Sequence, residues 1–216
     1  SSADIRAGLG HPVIDADGHF VEFMPLLQEI LREVGGPKVA DYFGVRFPRW
    51  YALSGAERQN RRYTRPPWWA LPTANTVDSA TSILPSLLAE RMGEIGLDFA
   101  VLYPTTGLAA AHFNDDDIRL GACRAWNLYQ AEVFGPHSDK MCGVAIVPMH
   151  TPEEALAELD FAVGELGHKA VLMPSHVLRR IKGDRQGTYL DVYAVDSDYD
   201  YEPVWARLAE LQVSPT

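Results

Sequence analysis

Two kinds of hydrophobic pattern alternate along the chain. Short, mostly apolar runs predict buried strands, and longer runs with helical spacing of the apolar residues predict amphipathic helices. The predicted strands are 12–16, 99–103, 141–147 and 170–173, with a fifth beginning at Val213. The predicted helices are 24–34, 83–95, 115–134, 151–166 and 203–211.

Local signals support the ends of these helices. Gly35-Gly36-Pro37 is expected to end the first helix, and Gly96 is placed for a left-handed cap after the second. Asp115 or Asp116 can cap the third helix. Residues 151–154, Thr-Pro-Glu-Glu, form a capping box with proline at the first helical position.

Two segments have no such pattern. Residues 38–81 are rich in Arg, Trp, Tyr and Pro, and we interpret them as a long ordered insertion because so many large aromatic residues seldom belong to a disordered linker. Residues 174–201 are polar, with many Asp and Tyr residues, and predict a loop.

The order of the elements predicts an α/β fold. Each strand after the first follows a helix and is apolar throughout, which is typical of a parallel sheet covered by helices. An open doubly wound sheet and a (β/α)₈ TIM-type barrel both fit. Because no glycine-rich phosphate loop follows a strand and the first strand ends in acidic residues, we favour the barrel, whose chemistry lies at the carboxyl ends of its strands.

The elements account for about half of such a barrel. We expect strands 1–4 and the start of strand 5 within one incomplete barrel domain, 1–216, so that the chain is a fragment or an incomplete record of a longer protein. A half barrel exposes strand edges and apolar faces, which predicts self-association and a homo-oligomer.

Charge and composition exclude some classes of binding partner. The formal net charge of −10 argues against nucleic acid, which needs a basic face. No apolar run approaches the roughly 20 residues that span a bilayer, so no membrane partner is expected. Cys123 and Cys142 are expected to be buried free thiols, which fits a cytoplasmic location. The remaining expectation is a small-molecule substrate.

The candidate chemistry begins where the first strand ends. Residues 13–19, Val-Ile-Asp-Ala-Asp-Gly-His, place Asp15, Asp17 and His19 on one face if the strand stays extended. The carboxylate of Asp17 and the imidazole of His19 are ordinary ligands of a divalent metal. An Asp-Gly pair is also a common turn, so the spacing alone leaves both interpretations open.

Several segments together resemble one family. They are His11–His19 with Glu22, and residues 84–105, 123–127, 143–149 and 203–213. In order and spacing they resemble the amidohydrolase-related metal-dependent hydrolases and decarboxylases, the branch typified by aminocarboxymuconate-semialdehyde decarboxylase.

The resemblance implies a distorted (β/α)₈ barrel with a divalent metal, zinc first and manganese second, at its mouth. It places metal ligands on Asp17 and His19, and less firmly on Glu22, which could instead support a ligand by hydrogen bonding. It also implies a metal-binding His on strand five, a catalytic His on strand six and an Asp on strand eight. These are expected beyond Thr216, so the catalytic residues stay unassigned.

Other side chains are candidates for substrate contact. His176 follows the fourth strand at its carboxyl end, and Trp68 and Trp69 could stack on an aromatic substrate. The alternatives are a loop histidine with local hydrogen bonds and tryptophans buried against the barrel. The remaining loop histidines are expected to be structural or solvated: His112, His137, His150 and His168.

These observations predict a metal-dependent hydrolase or non-oxidative decarboxylase acting on a small organic acid, lactone or amide. The first alternative is a catalytically silent truncated barrel that serves as a binding or assembly module. A weaker one is an open doubly wound domain with a ligand at its switch point. A His shortly after Thr216 and a late strand ending in Asp in the longer protein would separate the enzyme from the silent module.

Overall fold

Parallel strands form the centre of the structure, a computed structural model that describes residues 1–60, 75–184, 186–194 and 196–216. The strands are β1 Ile14–Phe20, β2 Phe99–Pro104, β3 Met141–Gly143, β4 Ala145–Ile146, β5 Ala170–Leu172, β6 Val177–Arg180, β7 Thr188–Asp191 and β8 Ser214–Pro215. The α-helices are α1 Ser2–Ala7, α2 Met24–Ala52, α3 Gly55–Asn60, α4 Thr76–Thr81, α5 Pro85–Ile95, α6 Asp116–Phe134, α7 Pro152–Leu159 and α8 Glu202–Leu211. Two 3₁₀ segments, Gly107–His112 and Gly135–His137, and a π-helical segment, Asp160–Glu165, complete the described elements.

The strands pair in chain order. One sheet has the order β1-β2-β3, another has the order β4-β5-β8, and every pairing in both is parallel. The predicted strand 141–147 is found as β3 and β4, because the chain changes neighbours at Val144. The Val144 N–H donates to the Leu102 carbonyl at 3.0 Å, whereas the Val147 N–H donates to the Leu172 carbonyl at 2.9 Å.

These pairings confirm the predicted α/β class with parallel strands. The expected fifth strand after Val213 is present as β8, which pairs with β5. Strands paired in sequence order are what an eight-stranded barrel requires. Closure of the barrel remains a prediction.

The first predicted helix, 24–34, does not end at Gly35-Gly36-Pro37 as the sequence predicted. Gly36 has φ of 72° and breaks the helical geometry, but helical residues follow it and α2 continues to Ala52. The first part of the predicted insertion is therefore helical, and Val39, Ala40 and Phe43 are fully buried in the core. The sequence signal was misread because Pro37 starts a new helical stretch as readily as it follows the end of one.

The predicted loop 174–201 contains a hairpin. β6 and β7 are antiparallel, with Leu178 opposite Leu190 and Arg179 opposite Tyr189. The Arg179 guanidinium binds the buried Asp191 carboxylate from the neighbouring strand. The period-two pattern of these short strands was hidden by the polar residues around them.

Two hydrophobic clusters flank the sheets. The first joins α2, α5 and α6 to β1–β3 around the fully buried Trp126, and the second joins α7 and α8 to β4 and β5. Both cysteines are free; Cys123 is buried, and Cys142 is only half-buried. No described helix is both long and apolar enough to cross a membrane.

A buried amide ties the two halves of the sheet together. The Asn127 side chain on α6 accepts a hydrogen bond from the Ile146 N–H at 2.7 Å and donates to the Ile146 carbonyl at 2.9 Å. It also donates to the buried Glu158 carboxylate at 2.8 Å, which in addition binds Arg124. The Asn127 carbonyl lies 3.0 Å from His168 Nε2. These polar contacts fix α6 against β4 and α7.

We predict that Asn127→Ala lowers the free energy of unfolding by about 3 kcal/mol, because it removes the side-chain partner of the Ile146 N–H, of the Ile146 carbonyl and of Glu158 Oε1. Asn114→Ala is the matched control, since Asn114 is exposed. Urea unfolding measures both. If both variants lost the same unfolding free energy, the Asn127 amide would not stabilise the contact of α6 with β4.

A second prediction concerns Gly36. Gly36→Ala should cost about 1–2 kcal/mol of unfolding free energy, because alanine strains at positive φ. Gly93→Ala, in an exposed part of α5 with no atom near the new methyl group, should instead be neutral or stabilising by up to about 1 kcal/mol. Thermal or urea unfolding of both variants measures the two changes in unfolding free energy. Changes of the same sign would contradict the kink at Gly36.

Candidate metal and substrate site

The end of β1 carries the predicted metal ligands on a bulge. Asp15 pairs with Ala100, but Gly18 pairs with Leu102, so three steps along β1 match two along β2. The Asp15 carboxylate accepts a hydrogen bond from the Asp17 N–H at 3.1 Å and thereby holds the bulge. A bulge redirects the side chains that follow it.

The bulge changes which of the three polar residues share a side: Asp15 and His19, but not Asp17, line one cavity behind β1. A Cβ placed on Gly18 would lie 2.9 Å from the Asp15 carboxylate and from the Leu102 side chain, so Asp15 and Gly18 share the side that faces α5. The single face expected for Asp15, Asp17 and His19 assumed an unbroken strand. The alternation that this expectation needs does not continue through the bulge.

Asp17 and His19 differ in their surroundings. The Asp17 side chain is exposed, whereas His19 is half-buried with its ring centroid 5.8 Å from that of Tyr103 on β2. His19 and Tyr103 are also partners in the strand register. Across residues 1–60, 75–184, 186–194 and 196–216, no three His, Cys, Asp or Glu side chains converge as a metal site.

Behind β1 lies a cavity of about 330 Å³, bounded by α4 and α5. Asp15 and His19 line it together with apolar residues of α5 and β2. Arg91 also lines it, but its guanidinium donates to Asp78 at 2.8 Å and to Glu94 at 3.1 Å. This guanidinium is therefore already occupied by carboxylates of the protein itself.

Glu22, the weakest of the three ligand candidates, makes buried hydrogen bonds within the protein. Its buried carboxylate accepts hydrogen bonds from the N–H groups of Thr106 and Gly107 and from Trp126 Nε1, each at 2.9 Å. A Cβ on Gly107 would lie 2.4 Å from the Trp126 ring, so only glycine fits this junction. Glu22 thereby fixes the segment after β1 against the segment after β2.

Three histidines follow the carboxyl ends of the other strands. His112 ends the 3₁₀ segment after β2, His150 follows β4, and His176 follows β5. The ring centroids of His112 and His176 are 6.1 Å apart. The Ser175 hydroxyl lies 3.0 Å from His176 Nδ1.

The backbone around His150 is held by two side chains. Arg179 donates to the His150 carbonyl at 2.8 Å, and the Tyr201 hydroxyl donates to the Met149 carbonyl at 2.6 Å. Burial lowers the pKa of His150 to about 4, and the charges of Arg119 and Arg179 act in the same direction. Its imidazole is therefore neutral at physiological pH.

The sequence anticipated this arrangement incompletely. His176 lies at the strand end where it was expected, whereas His112 and His150 were taken as structural or solvated although they too follow strands. His168 is buried, with its ring nitrogens near the Gly143 and Asn127 carbonyls. Trp68 and Trp69 lie outside the described residues. The support that Glu22 gives to Gly107 had no sequence signal.

Comparisons with known proteins agree with this architecture. The family model described as Amidohydrolase matches residues 14–214. The decarboxylase orsB of Emericella nidulans is 32% identical over 94 residues, which are 43% of this chain and 24% of that protein.

Solved structures match over almost the whole chain. The 2,6-dihydroxybenzoate decarboxylase from Rhizobium has a TM-score of 0.55 and 16% identity, over 95% of this chain and 49% of its own. The 5-carboxyvanillate decarboxylase of Novosphingobium aromaticivorans, complexed with manganese and 4-hydroxy-3-methoxy-5-nitrobenzoic acid, has a TM-score of 0.53 and 18% identity, over 95% and 49%. An amidohydrolase of Mycobacterium avium subsp. paratuberculosis has a TM-score of 0.59 and 20% identity, over 96% and 58%.

The chain thus spans about half the length of these solved structures and about a quarter of the curated relative. At 16–20% identity, the structural similarity establishes the fold alone. The family match covers most of the chain and confirms the resemblance found in the sequence: the chain belongs to the amidohydrolase family.

Proposed function

We propose that this chain supplies the metal-binding strand of a metal-dependent decarboxylase that acts on a small organic acid, with an aromatic acid as the favoured class. The observation that carries the proposal is the pair Asp17 and His19 on the bulge of β1, at the carboxyl end of a parallel sheet. The decarboxylase and its aromatic substrate are favoured over a hydrolase, a lactone or an amide because the similar proteins named above include decarboxylases of benzoic acids.

The donor set fits a divalent cation. Asp17 offers an exposed carboxylate and His19 an imidazole, and both can ligate zinc or manganese. A site with one carboxylate and one imidazole favours the harder manganese ion more than a site with two imidazoles would. The 5-carboxyvanillate decarboxylase structure contains manganese. Zinc, the first expectation from the sequence, remains the alternative. Catalytic zinc sites typically use three protein ligands, so further ligands are expected outside the described residues.

When bound, the cation would act as a Lewis acid that orients the carboxylate of the substrate. The chain's own residues prepare the place for it. The Asp15 carboxylate holds the Asp17 N–H, and Tyr103 lies against the ring of His19. Glu22 anchors the chain beyond them through Gly107, so we place it among the supports and not among the ligands.

A binding or assembly module without catalysis is the second candidate. It is favoured by one observation, that in the described parts of the chain no third His, Cys, Asp or Glu converges with Asp17 and His19 into a group that could hold a metal. Loose metal binding that produces no reaction in the longer protein would favour this candidate. Self-association and a cytoplasmic location remain predictions.

Manganese titration of the 216-residue chain tests the proposed ligands. We expect Asp17→Ala/His19→Ala to weaken manganese binding at least about tenfold, because both first ligands are lost. His137→Ala/Asp139→Ala is the matched control: it also removes one half-buried His and one exposed Asp, two residues apart, but before β3 at the opposite edge of the sheet. Calorimetry measures both, and equal affinities would remove the site.

Glu22→Gln separates support from ligation. We expect about 2 kcal/mol less unfolding free energy, because the three hydrogen bonds to Oε1 lose the carboxylate charge and the amide N–H₂ takes the place of Oε2, which the Thr106 N–H approaches at 3.2 Å. Manganese affinity should stay within about twofold of wild type. Glu29→Gln, an exposed change of the same kind on α2, should alter neither quantity. Loss of manganese binding with unchanged stability would instead make Glu22 a ligand.

A further inference from the structure

Loops from two strands that are not neighbours meet above a third. β2 and β5 are separated by the strand that runs through β3 and β4, yet the rings of His112 and His176 approach to 6.1 Å between centroids. The strand between them continues into His150. Two imidazoles therefore meet on the rim formed by the carboxyl ends of the strands, and the segment that follows the strand between them carries the third.

The scaffold holds one of these imidazoles firmly in place. Arg179 and Tyr201 bind the carbonyls of His150 and Met149, so the backbone on both sides of that peptide is fixed. His150 Nδ1 is buried and has no hydrogen-bond partner among the described residues. A buried polar atom of this kind costs stability unless something binds it.

The other two imidazoles remain accessible. His112 is exposed, and Ser175 engages Nδ1 of His176, so that Nε2 is the ring nitrogen available to a ligand. Burial lowers the pKa of His112, and the neighbouring His176 adds to this effect. An imidazole N–H group can donate a hydrogen bond to a carboxylate oxygen.

Two guanidinium groups near His150 are already engaged within the protein. Arg119 binds Glu154 and Asp116, and Arg179 binds Asp191. They are therefore not free to bind the ligand bidentately, so that the imidazoles are the donors left for a ligand at this place.

We propose that His112, His150 and His176 form a second recognition point of the site, which binds a carboxylate group of the substrate by hydrogen bonds from the imidazoles. This inference rests on the proposed function, since it describes a further part of the same rim. It names the substrate as an organic acid whose carboxylate accepts hydrogen bonds from imidazole N–H groups.

Benzoate and benzamide, which share shape but differ in charge, test the proposal on the metal-free chain in EDTA. Histidine side-chain NMR signals are followed during each titration. We expect benzoate to shift the signals of His112, His150 and His176 saturably, and benzamide to bind at least about tenfold more weakly. His112→Gln/His176→Gln should weaken benzoate binding about tenfold, whereas His137→Gln, at the opposite edge, should leave it unchanged.

Three results would overturn the proposal: equal shifts with benzamide, unchanged benzoate affinity in the double variant, or no shift of these signals with benzoate although zinc chloride shifts them in a separate sample dialysed free of EDTA. His112→Gln alone, at an exposed position, replaces the double variant if that variant fails to fold. Because EDTA removes metal, these outcomes are independent of the manganese titration. Loss of the imidazole site and loss of the Asp17–His19 site are thus separate findings.

Discussion

The parallel pairing of the strands in chain order is the constraint on which the structure depends. Because β1, β2, β4 and β5 all run in one direction, the segments that follow them emerge at the same edge. That edge collects the carboxylate and imidazoles from distant parts of the sequence. The strands begin at the opposite edge, and residues there contribute to the stability of the fold.

Buried polar contacts hold this edge in a fixed form. Glu22 joins the segment after β1 to that after β2, and Asn127 joins α6 to β4 where the strand changes neighbours. Arg179 ties the hairpin to the chain after β4. Each of these side chains satisfies backbone groups that neither sheet nor helix can pair, so the rim is shaped by hydrogen bonds as well as by apolar packing.

The sequence predicted the periodic elements, because apolar spacing leaves local signals, and it predicted that Asp17 and His19 lie where the first strand ends, as they do in β1. Metal binding by these two residues remains a prediction. The helical continuation past Gly36 and the hairpin 177–191 were missed, since a Gly-Pro break and a polar setting hide the period. The bulge before Gly18 was also missed, because a register shift depends on the partner strand. His112 and His150 could have been included by the rule that selected His176, namely their position after a strand.

The central claim is that a divalent cation binds at the bulged end of β1. Anomalous scattering from crystals of the protein soaked in manganese tests it most directly. The account predicts a peak within bonding distance of the Asp17 carboxylate and a ring nitrogen of His19. A peak only elsewhere, or an ordered bulge with no peak beside these two residues, would contradict it.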